Sequence, residues 1–500
     1  MRNYQLYIDG EFTDSQSGET FTSINPATEE PVAEVAKANR DDAKRAIAAA
    51  RKAFDEGPWA STGVQDRAKI LTQIAEAITA RSAELAALET EDSGGTVRKT
   101  MGDMTLCALQ LQAFAELGTN FPFEEKLADQ VMPGPAENVI LREPFGVCGQ
   151  IIPWNFPLMM AIWKIGPALI TGNTVVLKPA PDSPCTAAEL AKIIDETDLP
   201  RGVVNVIQGF GPDCGEELAT NAQVDKVAFT GSTAVGRRIM QLAGGTVKKV
   251  TLELGGKSPA IFCDDADLDL AIDGALFGVF FHQGQACESG TRLFVPESIH
   301  DEVVERLVNR AKTLRVGDPS QMESDLGPVI AERQRQRIEG YIQSGLEEGA
   351  KIAIGGGRPA QLTKGYYVEP TIFVDVKNEM KIAQEEIFGP VLCVIRYKDV
   401  DDAVRMANDT IYGLAGAVWS KDEEKALGIA RRIRAGTLWI NEHHMLSPLT
   451  PFGGYKQSGV GREFGAHGLS EYLQVKHVYT DRTGNLAGKF WYQSLFGQGG

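Results

Sequence analysis

Residues 224–236 read VDKVAFTGSTAVG. The first eight are short and largely apolar, the pattern of a strand buried on both faces. Gly231 closes the strand, and Ser232 and Thr233 carry the oxygens that suit a helix start. A helix is expected from Ala234 to Leu242. Strand, glycine turn and helix make half of a βαβ unit, and the alternation continues on both sides. Residues 139–152 (VILREPFGVCGQII) read as two strands around a turn. NTVVLKP (173–179) is a buried strand, followed by a helix from Ala187 to about Glu196. VVNVIQG (203–209) precedes a helical stretch from Asp213, and VTLELGG (250–256) is a further strand. The spacing predicts a parallel, doubly wound sheet.

A second alternation follows. It runs through a helix over 267–281, a turn carrying Cys287, the strand RLFV (292–295) and a helix over 299–314. Strands at 391–397, 415–419 and 436–441 then alternate with helices at 401–408 and 423–433. Two α/β domains are expected, with the seam near LELGGKSP (252–259). Five hundred residues are too many for one core, which agrees with that division. Upstream, residues 67–89 place Ile70, Leu71, Ile74, Ile78, Leu85 and Leu88 on one helical face. The polar stretch 123–140 and the C-terminal segment read as an appendage.

A net charge of −17 repels phosphate backbones and anionic lipid, so nucleic acid and membrane are poor partners. No apolar run approaches the roughly 18 residues of a spanning helix. The N-terminus has early charges and no apolar core of a signal peptide. Seven scattered cysteines without a CxxC pair argue against a disulfide framework or a metal site, and make the cytosol the natural compartment.

Four local motifs carry chemistry. In PWNFP (153–157) two prolines stiffen a turn at a strand's end and aim Trp154, Asn155 and Phe156; an amide there can donate to an oxyanion or merely cap backbone. FTGSTAVG (229–236) offers free N–H groups to a pyrophosphate at a helix start, or is an ordinary N-cap. Glu253, at the end of an apolar strand, is partly desolvated and suits a general base, or it pairs with Lys257. Cys287, alone among the cysteines, sits in a glycine-bracketed polar turn, FFHQGQACESGTR (280–292). Free cysteines are usually buried and inert; a nucleophilic one needs access.

Six motifs, PWNFP, FTGSTAVG, LELGGKSP, GQAC, EEIFGP and PFGGYKQSG, stand in the order and approximate spacing of the aldehyde dehydrogenase superfamily, which the chain resembles from about residue 5 to 480. The resemblance implies a Rossmann-like dinucleotide-binding domain (1–122 and 144–255), a second α/β catalytic domain (256–457), and a small β oligomerisation segment with a C-terminal tail (123–143 and 458–500). It implies Cys287 as nucleophile, Asn155 with the Cys287 N–H as oxyanion hole, and Glu253 as activator of water. Lys178 would bind the adenosine ribose. Trp154, Gly231 and Ser232 would hold the pyrophosphate, and Glu386 and Phe388 the nicotinamide riboside. Phe156, Met160, Trp163 and Phe452 would line an aldehyde tunnel, whose apolar, aromatic character favours uncharged aliphatic or aromatic aldehydes. The cofactor implied is NAD, with NADP left open. No metal is required, and a homodimer or homotetramer is implied.

The chain departs from the pattern in places. Pro181 stands where many NAD-using relatives carry a ribose-binding Glu, with Asp182 beside it and no further cation in view. His282 stands where Asn is common. Glu288, right after the nucleophile, is expected as a solvated strand-edge residue, with influence on Cys287 as the alternative. A CoA-acylating dehydrogenase and an inert protein on the same scaffold are competing readings; Glu253 argues against the first, and Cys287, Asn155, Glu253 and Glu386 together against the second. The glycines around Cys287 are expected to open it to substrate and cofactor. The tail's Phe490, Trp491, Tyr492, Leu495 and Phe496 are expected to dock, as a short helix or turn, at a subunit interface or tunnel rim.

Overall fold

The computed structural model describes residues 1–486 and 488–496. Its first large sheet has eight strands, in the order Gly459–Val460, Lys249–Glu253, Lys226–Thr230, Val147–Ile151, Thr174–Lys178, Val204–Val206, Leu6–Ile8 and Glu11–Thr13. The five central strands run parallel. The outer strands pair antiparallel. The stretch 224–236 is at the heart of this sheet: strand Lys226–Thr230 is buried throughout, and the helix it feeds runs Thr233–Ala243. Two edge strands from residues 6–13 were not expected, because three-residue strands carry too little periodicity to read.

The second sheet has seven strands, in the order Lys351–Ile354, Thr371–Val374, Val391–Tyr397, Arg292–Pro296, Pro259–Phe262, Ala415–Trp419 and Thr437–Ile440. All its pairings are parallel except the first. The chain crosses from one sheet to the other between Glu253 and Pro259. A third, antiparallel sheet joins Leu473–Asp481, Ala136–Pro144 and Glu124–Lys126, so the two appendage segments pair over nine residues. A small three-stranded sheet from residues 2–36 completes the fold.

The helix face read over 67–89 is buried as expected, but the backbone breaks at Arg81 into Val64–Ala80 and Ser82–Ser93. No glycine or proline marks that break. The tail forms a turn at Phe490–Tyr492 and a short helix at Gln493–Phe496. Within the single chain its apolar side chains face outward, Trp491 being 70% exposed. The tail residues 487 and 497–500 lie outside the described residues.

Candidate active site

In the first sheet, chain order reverses between the neighbouring strands Val147–Ile151 and Lys226–Thr230. Open α/β sheets bind ligands in the crevice beyond the carboxyl ends of such strands. PWNFP leaves the first of them and Gly231–Ser232 leaves the second, so two motifs that begin 76 residues apart, at Pro153 and Phe229, meet. Both border one cavity of about 370 Å³, which also reaches Glu253, Cys287, Glu386 and Phe388.

The half of the cavity beside Gly231 and Ser232 is built as follows. Ser232 caps the helix Thr233–Ala243 by accepting from the Val235 N–H at 3.4 Å. Phe388 holds a left-handed backbone, φ 60°, and meets the Trp154 ring edge-on at 5.2 Å. Glu386 accepts the Gly256 N–H at 3.1 Å, and burial lifts its carboxyl to about 7. Lys178 is buried and does not line the cavity; its Nζ donates to the Pro179 and Gly209 carbonyls at 2.7 and 2.8 Å. Burial lowers its ammonium to about 8. Asp182 pairs with Arg333, a cation that the local sequence around Pro181 could not disclose.

Cys287 is the one cysteine of the seven that is not buried away. It lies after the helix Leu268–Phe280, where His282, Gln283 and Gly284 all take positive φ. At Gly284 a Cβ would lie 2.1 Å from the Gly389 carbonyl oxygen, and at Gly290 it would lie 2.7 Å from the His443 ring. These glycines therefore let protein pack on protein behind the nucleophile, rather than opening it to ligands as expected. Asn155 is 4% exposed; its Nδ2 donates to the Gln285 carbonyl at 2.7 Å, which uses one of its two N–H bonds. Lys99 Nζ donates to the Asn155 carbonyl at 3.2 Å, lies 4.1 Å over the Phe156 ring, and is paired with Asp103 at 2.6 Å.

Glu253 is buried, and neither carboxylate oxygen has a hydrogen-bond partner. Burial, then the nearby Glu463, hold its carboxyl well above the usual carboxylate range. The pairing with Lys257 does not form, and Lys257 Nζ is itself without a partner. Behind Glu253, Glu463 forms a buried ion pair with Lys164.

The apolar half of the cavity holds all four of Phe156, Met160, Trp163 and Phe452. Trp163 donates Nε1–H to Gln110 at 2.6 Å and stands edge-on to Phe464 at 4.4 Å. Glu288 is not at a solvated strand edge. It is 7% exposed, lines the same cavity and pairs with His444 at 2.9 Å. The partner comes from 156 residues away, so the sequence around Glu288 could not reveal it.

Sequence reasoning also missed Phe277, Phe281, Leu446, Glu463 and His444, all at the cavity. Only a faint signal existed for Phe277 and Phe281, which lie on the helix leading to Cys287. The others sit in segments with no local mark of chemistry.

Cys287, the fixed amide of Asn155 and the unpartnered carboxylate of Glu253 thus meet at one cavity. The model of the aldehyde dehydrogenase family matches residues 12–478. Betaine aldehyde dehydrogenase of Bacillus subtilis is 46% identical over 494 residues, covering 98% of this chain and 99% of its own. Benzaldehyde dehydrogenase of Antirrhinum majus is 46% identical over 481 residues, covering 95% of this chain and 88% of its own. Among solved structures, a betaine aldehyde dehydrogenase point mutant from Staphylococcus aureus, in complex with NAD+ and with a BME-modified cysteine, superimposes with a TM-score of 0.95. It is 41% identical and covers 98% of this chain and 99% of its own. The chain belongs to the aldehyde dehydrogenase family, oxidoreductases acting on aldehydes.

Proposed function

We propose that this protein oxidises uncharged aliphatic or aromatic aldehydes to carboxylic acids with NAD+, through a thioester on Cys287. The observation that carries the reading is Glu253: a buried carboxylate without a partner, in the same cavity as Cys287 and Asn155. It supplies the base that a hydrolytic enzyme needs and a CoA-acylating one does not.

The cavity suits a dinucleotide on this chain's own features. A capped helix start, the Trp154–Phe388 edge contact and a carboxyl held by a backbone N–H are all in place for phosphate, ring and ribose. When bound, the nicotinamide accepts a hydride. The chain does the rest. Ser232 and the N–H groups after it would hold the pyrophosphate, Glu386 the ribose and Phe388 the ring. Cys287 loses its proton to solvent, and the thiolate sulfur bonds the carbonyl carbon. The free N–H of Asn155 and the Cys287 backbone N–H take up the charge on the oxygen. After oxidation, Glu253 removes a proton from water, which adds to the thioester carbon, and the thiolate leaves with the acid released. Lys178 enters this reading from beneath the cleft, its Nζ needing to give up a carbonyl to reach a ribose hydroxyl. NAD+ is the cofactor of this reading because the similar solved structures carry NAD+.

Phe156, Met160, Trp163 and Phe452 set the substrate class. The same reading divides the chain into a cofactor domain (1–122 and 144–255), a catalytic domain (256–457) and an assembling segment (123–143 and 458–500). Strand Gly459–Val460 returns to the cofactor sheet. The exposed nine-residue edge strand Leu473–Asp481 supports assembly into dimers or tetramers. No helix among the described residues is long and apolar enough to cross a membrane, and the cytosol is the proposed location. The test is a panel of aliphatic, aromatic and cationic aldehydes against NAD+ and NADP+, with and without CoA, followed by the absorbance of reduced nicotinamide. Turnover that requires CoA, or that is confined to cationic aldehydes, overturns the corresponding part.

A further inference from the structure

A polar chain in the apolar half of the cavity runs through Cys287. The Cys287 S–H donates to Glu288 Oε2 at 3.2 Å. Glu288 Oε1 lies 2.9 Å from His444 Nδ1, and His444 Nε2 lies 3.1 Å from the Gly278 carbonyl oxygen. Both ring nitrogens of His444 thus face acceptors. The Glu288 carboxylate is thus held at both oxygens, by the thiol and by the ring. His444 is held in this place by a left-handed backbone, φ 66°, and by the rings of Phe277 and Phe281 at 5.3 and 5.4 Å.

We propose that Glu288, clamped by His444, is a positioning residue that keeps Cys287 a protonated thiol in the resting protein and so sets the pH at which the nucleophile becomes reactive. The proposal rests on the reading of Cys287 as nucleophile.

Two physical effects act in the same direction. A carboxylate accepting the S–H bond stabilises the thiol, and its charge disfavours a thiolate beside it. His444 meets the other carboxylate oxygen, Oε1, and not the sulfur. The titration directions agree. Burial first, then the charge and hydrogen bond of Glu288, then Glu386 and Glu253, push the Cys287 thiol well above its ordinary value. Glu288 is pushed up by burial, yet the hydrogen bond and charge of His444 and the S–H of Cys287 bring it down to about 2, so it is ionised across the working range. The other titratable groups around the pair are His443, Asp103, Glu463 and Arg337. His443 meets the His444 ring at 4.7 Å and lies 3.1 Å from the Glu288 carbonyl oxygen; burial lowers it to about 3. Asp103, Glu463 and Arg337 line the same cavity.

The experiment is the pH dependence of iodoacetamide alkylation of the full-length protein without NAD+, with the site located by peptide mass. The thiolate displaces iodide, a sulfur–carbon bond forms, and the proton goes to solvent. Glu288→Gln keeps the shape but can turn N–H donors toward the sulfur. Each unit by which the thiol's pKa falls raises its thiolate fraction about tenfold at a fixed lower pH. The expected result is alkylation of Cys287 at about pH 7 at least about tenfold faster than in the unmodified chain, with the midpoint of the pH profile about one unit lower or more. Glu288→Thr, which removes the charge without an amide, is expected to move the profile in the same direction and serves if the first variant does not fold. An unmoved profile in a folded variant, or slower alkylation, overturns the proposal; the slower result would make Glu288 a proton acceptor for the thiol. Absence of any labelling at Cys287 in all forms would instead count against Cys287 as nucleophile, and the proposal would fall with it.

Discussion

Gly255→Ala is a small change with a calculable consequence for the cofactor side of the cavity. A Cβ built on Gly255 lies 2.4 Å from Glu386 Oε2, 2.8 Å from Cδ and 2.9 Å from Oε1. Comfortable contact needs about 3.5 Å, so the carboxyl has to retreat by roughly 1 Å. Glu386 is not free to do so cheaply, since it is half-buried and fixed by the Gly256 N–H at 3.1 Å. Gly255 does not occupy the left-handed region. Backbone strain therefore adds nothing, and the effect reads the contact alone. Losing a hydrogen bond to a charged group costs about 1.5–3 kcal/mol. If Glu386 holds the nicotinamide ribose, kcat/KM for NAD+ should drop by about 10- to 100-fold, at about 1.4 kcal/mol per tenfold. The assay is initial-rate formation of reduced nicotinamide at saturating aldehyde with NAD+ varied, beside Glu386→Gln as comparator and a melting curve as control for folding. An unchanged kcat/KM for NAD+ in a normally folded variant would refute the assignment of Glu386.

Other outcomes follow from the same geometry. Cys287→Ala should abolish turnover while NAD+ binding by calorimetry persists, whereas Cys148→Ala and Cys393→Ala, both buried in strands, should keep the chemistry at a packing cost of order 1 kcal/mol. Because burial raises Glu386 to about 7, protonation below that pH removes its charge, so kcat/KM for NAD+ should fall as pH drops from about 8 to about 6. Glu386→Gln should flatten that limb, and a retained slope assigns it elsewhere. Lys164→Met strands the buried Glu463 carboxylate and should cost about 3–5 kcal/mol, seen as a lower urea midpoint; an unchanged midpoint would mean that the pair contributes little. Truncation after Thr483 removes the outward-facing Phe490, Trp491 and Leu495. It should change assembly size in light scattering or KM for long aldehydes, and no change in either would remove any docking role for the tail.

How much of this was legible in the sequence differs by element. The strand–turn–helix at 224–236 was readable because a central parallel strand is largely apolar and its helix opens with Ser and Thr. The strands at residues 6–13 were not, being too short to show a period. Cys287, Asn155 and Glu253 could be singled out because each sits where local chemistry is odd: a cysteine in a polar turn, an amide between prolines, a carboxylate ending an apolar strand. Glu288 was misread for the opposite reason. Its burial depends on His444 and Phe281, and His444 lies far away in the chain. Arg333 beside Asp182 and Glu463 beside Glu253 are of the same kind, since contacts across 151 and 210 residues leave no trace in a local window. The role of Gly284 was misjudged because a glycine's need for space is visible while its neighbour, the Gly389 backbone, is not.

The central claim is a thioester on Cys287 that Glu253 hydrolyses. It is tested most directly by mixing the Glu253→Gln variant with NAD+ and a small aromatic aldehyde, quenching in acid, and measuring intact and peptide mass. The account predicts a burst of about one reduced cofactor per subunit and an added acyl mass on the peptide carrying Cys287, followed by very slow turnover. Steady turnover at the unmodified rate with no added mass, or an acyl group on another residue, would contradict it.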